Sequence, residues 1–229
     1  MNHTSDPYGM EPSRASDYEA ARLDLIRARW DRKAERWDAD LADDGFHLNA
    51  DDAYQRFLDA AEAIVTERAE FCRQSLLVDL GCGTGLVLAR FIGRFAQGVG
   101  MDLSRRMLDV AARRQLPRTR LIEGNCFELA RHVSGAGAVF SRGILLSHYG
   151  DRWALRLLAQ VRQVLVDDGG FALLDFLNAA ARHRYPSNPE NKTYFAAAHM
   201  EALAREAGFR QASVLGAPER RVLLLLAEH

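Results

Sequence analysis

Apolar and polar residues form blocks from residue 76 onward, and the period of the apolar positions changes between blocks. Short apolar runs, which predict buried strands, are separated by longer segments with apolar residues at helical spacing. The predicted strands are 76–80, 98–101, 120–123, 137–141, 170–176, 211–215 and 221–227. The predicted helices are 85–96, 104–115, about 126–132, 151–166 and 196–207. This alternation predicts an α/β fold with a doubly wound, mostly parallel seven-stranded sheet.

Two regions depart from this alternation. The last two predicted strands have no helix between them, and the segment GAPERR at 216–221 is typical of a hairpin, so the last strand is predicted to be antiparallel. Residues 17–72 have apolar positions at helical spacing with a break at 43–49, and they predict an N-terminal helical cap. Residues 1–16 are polar and predict a disordered N-terminus. The expected organisation is therefore a tail, a cap and an α/β domain over 73–229.

Composition and charge narrow the classes of function. The formal net charge is −1, whereas a nucleic-acid binder normally has a basic excess, so no nucleic-acid partner is expected. No apolar run is long enough to span a bilayer, so no membrane partner is expected. The three cysteines and seven histidines lack metal-ligand spacing, so no metal site is expected. The N-terminal residues lack a signal-peptide pattern, and arginine dominates over lysine, which together favour a cytoplasmic, bacterial protein.

The segment VDLGCGTG at 78–85 lies where the first predicted strand meets the first predicted helix. Gly81 and Gly83 allow a sharp turn and a close approach of the backbone to a ligand, and Gly85 allows close packing as the helix begins. The spacing G-x-G-x-G differs from the dinucleotide fingerprint G-x-G-x-x-G. Asp79 directly precedes the turn, where a carboxylate is a poor neighbour for a pyrophosphate. It suits an ammonium group instead, directly or through water.

A second carboxylate, Asp102, ends the second predicted strand about 20 residues after Gly81. That spacing is typical of a carboxylate that binds the hydroxyl groups of a ribose. A ribose, an ammonium group and no phosphate together describe an adenosyl amino acid. The alternatives are a tight turn without a ligand and, for Asp102, a surface carboxylate.

Together these motifs resemble the class I S-adenosylmethionine-dependent methyltransferases. The likeness covers about residues 76–227 in strand order and includes the segments GMDLS, IEGNCFEL, AVFSRGILLSHYG and EALAREAGF. The family usually has Gly-Asp after its third strand, where this chain has Gly124 and Asn125; the amide oxygen of Asn125 could accept the same bond from the adenine amino group. The resemblance implies S-adenosylmethionine as the cofactor and these cofactor-binding residues: Asp79, Gly81, Gly83, Gly85, Asp102, Leu103, Met107, Asn125, Cys126, Ser141 and Trp37.

The segment SRGILLSHYG at 141–150 leaves the fourth predicted strand, whose carboxyl end faces the ligand crevice in such a fold. His148 is the candidate catalytic residue, as a general base, because imidazole titrates near neutrality. The alternative is that His148 packs or forms a hydrogen bond within its loop. The candidate substrate-contacting residues are Trp30, Arg142, Tyr149 and Tyr185.

The segment RARWDRKAERWDADL at 27–41 resembles the N-terminal segment that many small-molecule methyltransferases fold over the cofactor. In that comparison Trp37 closes against the methionine end and Trp30 lines the same cavity. Alternatively, both are core residues, since a spacing of seven places them on one helix face. The long segment 178–195 after the fifth strand is a candidate lid, and a solvated surface loop is its alternative.

The predicted function is methyl transfer from S-adenosylmethionine to an oxygen or nitrogen of a small molecule, such as a bacterial secondary metabolite. One alternative is a methyltransferase that acts on tRNA or protein, and another is a non-catalytic protein that binds S-adenosylmethionine. A dinucleotide oxidoreductase is disfavoured by the glycine spacing and by Asp79. The sequence predicts neither the identity of the acceptor nor an oligomeric state.

Overall fold

A computed structural model describes residues 12–42, 53–143, 145–148, 150–182, 193–217 and 222–227. Within these residues the strands are Leu76–Leu80 (β1), Gln97–Asp102 (β2), Thr119–Glu123 (β3), Ala136–Ser141 (β4), Phe171–Phe176 (β5), Gln211–Leu215 (β6) and Val222–Ala227 (β7). The α-helices are Pro12–Lys33 (α1), Trp37–Ala42 (α2), Ala53–Glu67 (α3), Ala69–Gln74 (α4), Leu86–Phe91 (α5), Arg105–Ala112 (α6), Asp151–Val164 (α7) and Ala197–Glu206 (α8).

The strands form one sheet in the order β3-β2-β1-β4-β5-β7-β6. Neighbouring strands from β3 to β5 are parallel, and β7 runs antiparallel to both β5 and β6. The predicted fold class, including the antiparallel last strand, is therefore confirmed. Part of the predicted hairpin between β6 and β7, residues 218–221, lies outside the described residues.

The central strands are buried on both faces, which explains why they read as continuous apolar runs in the sequence. Successive side chains of β1 point to opposite faces, so Leu77 and Val78 enter two different hydrophobic clusters. The cluster around Val78 includes residues of α7 and α8, and the cluster around Leu77 includes residues of α3, α4 and α5. Helices thus cover both faces of the sheet.

α3 and α4 are part of this core. Phe57 of α3 is fully buried, and its ring packs edge-on against Phe140 of β4 with 6.1 Å between the ring centroids. By contrast, no residue of α1 or α2 whose side chain is described joins either hydrophobic cluster. The predicted cap of 17–72 therefore contains two different parts. The sequence did not separate them, because apolar spacing shows that a helix has a buried face but not which surface packs against it. Within the described part of 17–72, α1 and α2 are therefore the candidates for a cover over the site.

Several element boundaries differ from the prediction. α1 begins at Pro12, inside the segment 1–16 that the sequence predicts to be disordered. Proline fits the first turn of a helix, because the N–H that it lacks has no acceptor there. The segment predicted as a helix at 126–132 is a 3₁₀ helix, Cys126–Arg131, in which Glu128 departs from helical geometry. Residues 1–11, the predicted break at 43–49 and most of the candidate lid, 183–192, lie outside the described residues.

Candidate active site

The strand order reverses direction between β1 and β4, and this point defines the candidate site. From β1 the chain continues outward to β2 and β3, and then returns to the other side of β1 at β4. In parallel α/β sheets, ligands bind outside the carboxyl ends of the strands at such a switch point. Asp79 near the end of β1, Asp102 at the end of β2 and Ser141 at the end of β4 all lie there.

The glycine turn between β1 and α5 has the backbone geometry that the sequence predicts. Gly81, Gly83 and Gly85 have φ angles of +72°, +54° and +79°, in the left-handed region that favours glycine. The N–H groups of Gly81 and Cys82 both donate to the carbonyl of Met101, at 2.8 and 3.0 Å, which fixes the turn to β2. The backbone of this turn is therefore held in place beside the end of β2.

Asp79 is a buried carboxyl group with unused hydrogen-bonding capacity. The residue is 1% exposed, and its Oδ2 has no hydrogen-bond partner among the described residues. Burial, reinforced by the nearby charge of Asp102, raises the pKa of Asp79 to about 8. A cationic ligand at this position would supply the missing partner and offset the repulsion between the two carboxylates.

Asp102 is anchored to the glycine turn. Its Oδ2 accepts a hydrogen bond from the N–H of Gly83, and its Oδ1 accepts one from the N–H of Ser104, both at 2.8 Å. Burial raises the pKa of Asp102, and these backbone donors oppose the rise. Each carboxylate oxygen has a further lone pair, so Asp102 can still accept hydrogen bonds from ribose hydroxyls.

Four further residues predicted to bind the cofactor, of which Asn125 is the one predicted to contact the adenine, follow β2 and β3. Asn125 uses its Oδ1 to accept the N–H of Phe127 at 3.0 Å, which caps the 3₁₀ helix; an amide oxygen has a second lone pair for a ligand. Burial raises the pKa of Cys126 to about 12, so its thiol remains protonated and acts as an apolar contact. Met107 is buried, and Leu103 is half-buried beside Asp102.

The acceptor side is formed by the segment after β4. Ser141 is buried, and its Oγ has no hydrogen-bond partner among the described residues. Nε2 of His148 lies 3.3 Å from the carbonyl oxygen of Gly143, and the carbonyl of His148 accepts a hydrogen bond from Arg22 of α1 at 3.0 Å. In this arrangement Nε2 donates to Gly143, so only Nδ1 of His148 could act as a base. Tyr149 and Tyr185 lie outside the described residues.

Sequence reasoning missed Tyr54, which lies on this side of the site. The guanidinium carbon of Arg142 is 4.4 Å from the centroid of its ring. Burial raises the pKa of Tyr54 to about 12; the charges of Arg142 and Asp79 also act on it, in opposite directions. No sequence signal could have found Tyr54, because it occupies one of many apolar positions at helical spacing.

α1 and α2 are attached to the cofactor loops by polar side chains. Asp38 of α2 accepts a hydrogen bond from Oγ1 of Thr84, in the glycine turn, at 2.5 Å and forms an ion pair with Arg114. Asp31 of α1 accepts a hydrogen bond from Oγ of Ser104 at 2.5 Å. We call Asp31 and Asp38, with these partners, the polar strap. The aspartate directly after Trp37 was the available signal for Asp38, but nothing in the sequence indicated its partners.

The two tryptophans contact each other. The rings of Trp30 and Trp37 are perpendicular, with centroids 4.9 Å apart, and the ammonium group of Lys33 lies 5.5 Å from the centroid of Trp30. Neither ring belongs to a hydrophobic cluster of the sheet, so they are not core residues of the α/β domain. Trp37 directly precedes Asp38, which brings it to the glycine turn.

Other kinds of site are less well supported. The described residues contain no group of three or more histidine, cysteine or acidic side chains that could hold a metal ion. In the same residues, no helix combines the length and apolar character needed to cross a membrane. An open groove of about 680 Å³ lies at the opposite edge of the sheet, lined by Ser75, Gln97 and Gly135 among others. That edge carries the amino ends of the parallel strands, away from the polar groups described above.

Comparisons with known proteins find similarity to methyltransferases. Residues 77–169 match the family model described as a methyltransferase domain. The chain is 38% identical over 88 residues to the trans-aconitate 2-methyltransferase of Deinococcus radiodurans, a match that covers 34% of this chain and 33% of the relative. The match therefore spans about a third of the length of that curated relative.

Solved structures share the whole fold at low sequence identity. DhpI, in a complex with S-adenosylmethionine, has a TM-score of 0.64 and 17% identity, covering 91% of this chain and 97% of that chain. CalS10, an amino pentose methyltransferase from Micromonospora echinaspora, has a TM-score of 0.62 and 18% identity, covering 82% and 97%. At these identities the likeness shows the fold.

The residues present fit S-adenosylmethionine, the cofactor that the solved structures similar to this chain bind. Oδ2 of the buried Asp79 has no partner among the described residues and can accept a hydrogen bond from the ammonium group. Asp102 follows the glycine turn at the sequence distance that is typical of ribose binding. Gly81 and Gly83 have no side chains that would keep the cofactor away from the backbone of the turn. Residues 77–169 thus match a methyltransferase domain, and the chain as a whole shares the fold of solved structures that bind S-adenosylmethionine.

Proposed function

We propose that this protein transfers the methyl group of S-adenosylmethionine to an oxygen or nitrogen atom of a small molecule. The observation that carries the proposal is the buried carboxyl of Asp79, whose Oδ2 lacks a partner among the described residues beside the glycine turn. A buried polar atom without a partner is unfavourable by roughly 1–3 kcal/mol, so a protein retains one where a ligand satisfies it.

The cofactor-binding roles follow from the geometry of the switch point. When bound, S-adenosylmethionine supplies a methyl group on a positively charged sulfur. In this proposal Asp79 binds its ammonium group and Asp102 accepts its ribose hydroxyls. Asn125 accepts the adenine amino group, and Leu103 with Met107 provides the apolar contacts of the adenine ring. In this proposal the protein lowers the barrier to methyl transfer by orienting the acceptor toward the methyl group and by excluding water.

A small acceptor is supported by the cover over the crevice. The polar strap holds α1 and α2 against the glycine turn and the start of α6, and Arg22 ties α1 to the carbonyl of His148. A large acceptor such as tRNA would need that cover to be displaced. CalS10 is described as taking part in calicheamicin biosynthesis, which supports a role for this chain in secondary metabolism.

His148 is the proposed general base where the acceptor carries a proton that must leave. Its Nε2 contact with the carbonyl of Gly143 would hold the imidazole in one tautomer, with Nδ1 as the proton acceptor. An acceptor that is already a neutral amine or an anion needs no base. In that case His148 would only shape the pocket.

The first experiment measures cofactor binding and then turnover. Titration calorimetry should show that the protein binds S-adenosylhomocysteine, and Asp102→Ala should weaken binding by about 1–3 kcal/mol, because the ribose hydroxyls lose their acceptor. Asp167→Asn serves as the control, because Asp167 is an exposed carboxylate shortly before β5, at the amino ends of the parallel strands. Formation of S-adenosylhomocysteine is then followed with a panel of small phenols, amines and carboxylic acids.

Two outcomes separate the alternatives. Tight binding of NAD with no response to S-adenosylhomocysteine would contradict the cofactor assignment. Tight binding of S-adenosylhomocysteine with turnover of tRNA or protein, and none of any small acceptor, would replace the small-molecule assignment. Binding without turnover of any acceptor class would favour a non-catalytic S-adenosylmethionine-binding protein.

A further inference from the structure

Arg142 and Tyr54 form a stacked pair at the carboxyl end of β4. The guanidinium carbon of Arg142 lies 4.4 Å from the centroid of the Tyr54 ring, a distance at which a cation and an aromatic face attract each other. Arg142 directly follows Ser141, the last residue of β4, and Tyr54 is the second residue of α3. Because a guanidinium stays protonated at any physiological pH, this pair fixes a permanent positive charge at the crevice.

The strand register places this pair on the same face of the sheet as Asp79. Asp79 is the Cα partner of Phe140, whose ring packs against Phe57 of α3. Arg142 lies two residues beyond Phe140 and also contacts α3, so its side chain lies on that same face. Two residues of extended chain span about 7 Å, so Arg142 lies just beyond Asp79 toward the opening of the crevice.

Tyr54 stacks on Arg142 and also senses the charge of Asp79. The charges of both Arg142 and Asp79 act on its hydroxyl, and burial raises its pKa to about 12. The hydroxyl is therefore protonated at neutral pH and can donate a hydrogen bond. One face of the site thus presents the carboxyl group of Asp79, the hydroxyl of Tyr54 and the guanidinium of Arg142, and these groups complement a ligand whose ammonium group lies next to an anion.

We propose that Arg142, held by the ring of Tyr54, is a carboxylate receptor beside the ammonium site of Asp79. The inference rests on the proposed function, since that function assigns the ammonium site. The guanidinium matches a carboxylate with two parallel hydrogen bonds. The carboxylate has two sources of the same chemistry: the methionine end of the cofactor, or an acceptor that is itself a carboxylic acid.

The first arm of the test changes the ligand and leaves the protein intact. Wild-type protein is titrated by calorimetry with S-adenosylmethionine and with decarboxylated S-adenosylmethionine, which retains the ammonium group. If Arg142 binds the cofactor carboxylate, the wild type should prefer S-adenosylmethionine by roughly 10- to 100-fold, the range of a charge-assisted hydrogen bond. Arg142→Gln should abolish that preference, and its affinity for decarboxylated S-adenosylmethionine should equal that of the wild type.

The second arm addresses the acceptor. The complex with S-adenosylhomocysteine is titrated with trans-aconitate and benzoate, and with their amides as uncharged counterparts. If Arg142 binds an acceptor carboxylate, the wild-type complex should bind an acid in preference to its amide. Arg142→Gln should weaken binding of the acid at least about 10-fold, the lower end of that range, and leave the affinity for S-adenosylhomocysteine unchanged.

Matched variants control for indirect effects. Tyr54→Leu removes the ring and should reduce whichever preference is found, whereas Tyr54→Phe keeps the ring and should retain most of it. Arg68→Gln removes an arginine stacked 5.1 Å from the ring of Phe171 at the amino end of β5, and it should change neither preference.

The arms separate this inference from the proposed function. A wild-type protein that binds S-adenosylmethionine, but shows no carboxylate preference in either arm, overturns the inference and leaves the proposed function standing. A wild-type protein that binds neither S-adenosylmethionine nor S-adenosylhomocysteine overturns both.

Discussion

Replacing Asp79 with asparagine should stabilise the free protein while it weakens cofactor binding. The side chain is 1% exposed and lies close enough to Asp102 for that charge to raise its pKa. Asparagine is nearly isosteric with aspartate, so Asp79→Asn removes the titration without creating a cavity. The variant therefore isolates the effect of one buried carboxyl group.

The magnitude follows from the difference in pKa between the folded and unfolded states. Folding raises the pKa of Asp79 from its usual 3.8 to about 8, so the folded protein binds the proton more tightly. The favourable contribution of Asp79 is complete below pH 3.8 and is lost as the pH rises toward 8. The loss is about 1.4 kcal/mol for each pH unit in that window, or roughly 4 kcal/mol between pH 4 and pH 7.

The assay is urea denaturation of the wild type and Asp79→Asn at several pH values between 5 and 8. The free energy of unfolding of the wild type, minus that of the variant, should fall by about 1.4 kcal/mol for each pH unit up to about pH 7 and then begin to level off, because only the wild type titrates at this position. Asp167→Asn, at an exposed carboxylate, should give a difference that does not change in this way. Saturating S-adenosylhomocysteine should stabilise the wild type far more than Asp79→Asn.

Two results would refute this reasoning. Parallel pH curves for the wild type and Asp79→Asn would mean that Asp79 ionises normally in the folded protein. Equal stabilisation of both proteins by S-adenosylhomocysteine would mean that Asp79 does not bind the ammonium group.

Three further predictions test other parts of the site. Asp38→Asn should weaken S-adenosylhomocysteine binding about 3- to 10-fold in calorimetry, because half-exposed contacts to Thr84 and Arg114 contribute about 1 kcal/mol; unchanged affinity would show that the strap does not cover the cofactor. His148→Gln should lower turnover roughly 10²- to 10⁴-fold with unchanged cofactor affinity if it is the base, and a rate within a few-fold of wild type would exclude that role. Gly81→Ala, at φ +72°, should lower the free energy of unfolding by about 1–2 kcal/mol in urea denaturation, and no change would argue against the left-handed turn.

The central strands of the sheet could be predicted because they are buried on both faces. Runs such as Leu76–Leu80 and Phe171–Phe176 are almost wholly apolar and are bounded by turn residues, so their type and approximate ends are encoded locally. The glycine turn was predictable for a similar reason, since three left-handed positions within five residues require glycine.

The contacts of α1 and α2 with the glycine turn and the start of α6 could not be predicted, because they join residues far apart in the chain. Asp38 pairs with Arg114 across 76 residues, and in the sequence one aspartate of a charged helix looks like any other. The helical stripe of α3 likewise does not reveal that Phe57 packs on the sheet instead of on α1. Tyr54 belongs to the site only because α3 adopts that position.

A crystal structure of the protein with S-adenosylhomocysteine would show whether Asp79 and Asp102 bind the cofactor. We expect the ligand's ammonium group to lie within hydrogen-bonding distance of Oδ2 of Asp79 and its ribose hydroxyls to contact Asp102. A ligand bound elsewhere, or bound at the switch point with its ammonium group away from Asp79, would contradict this expectation.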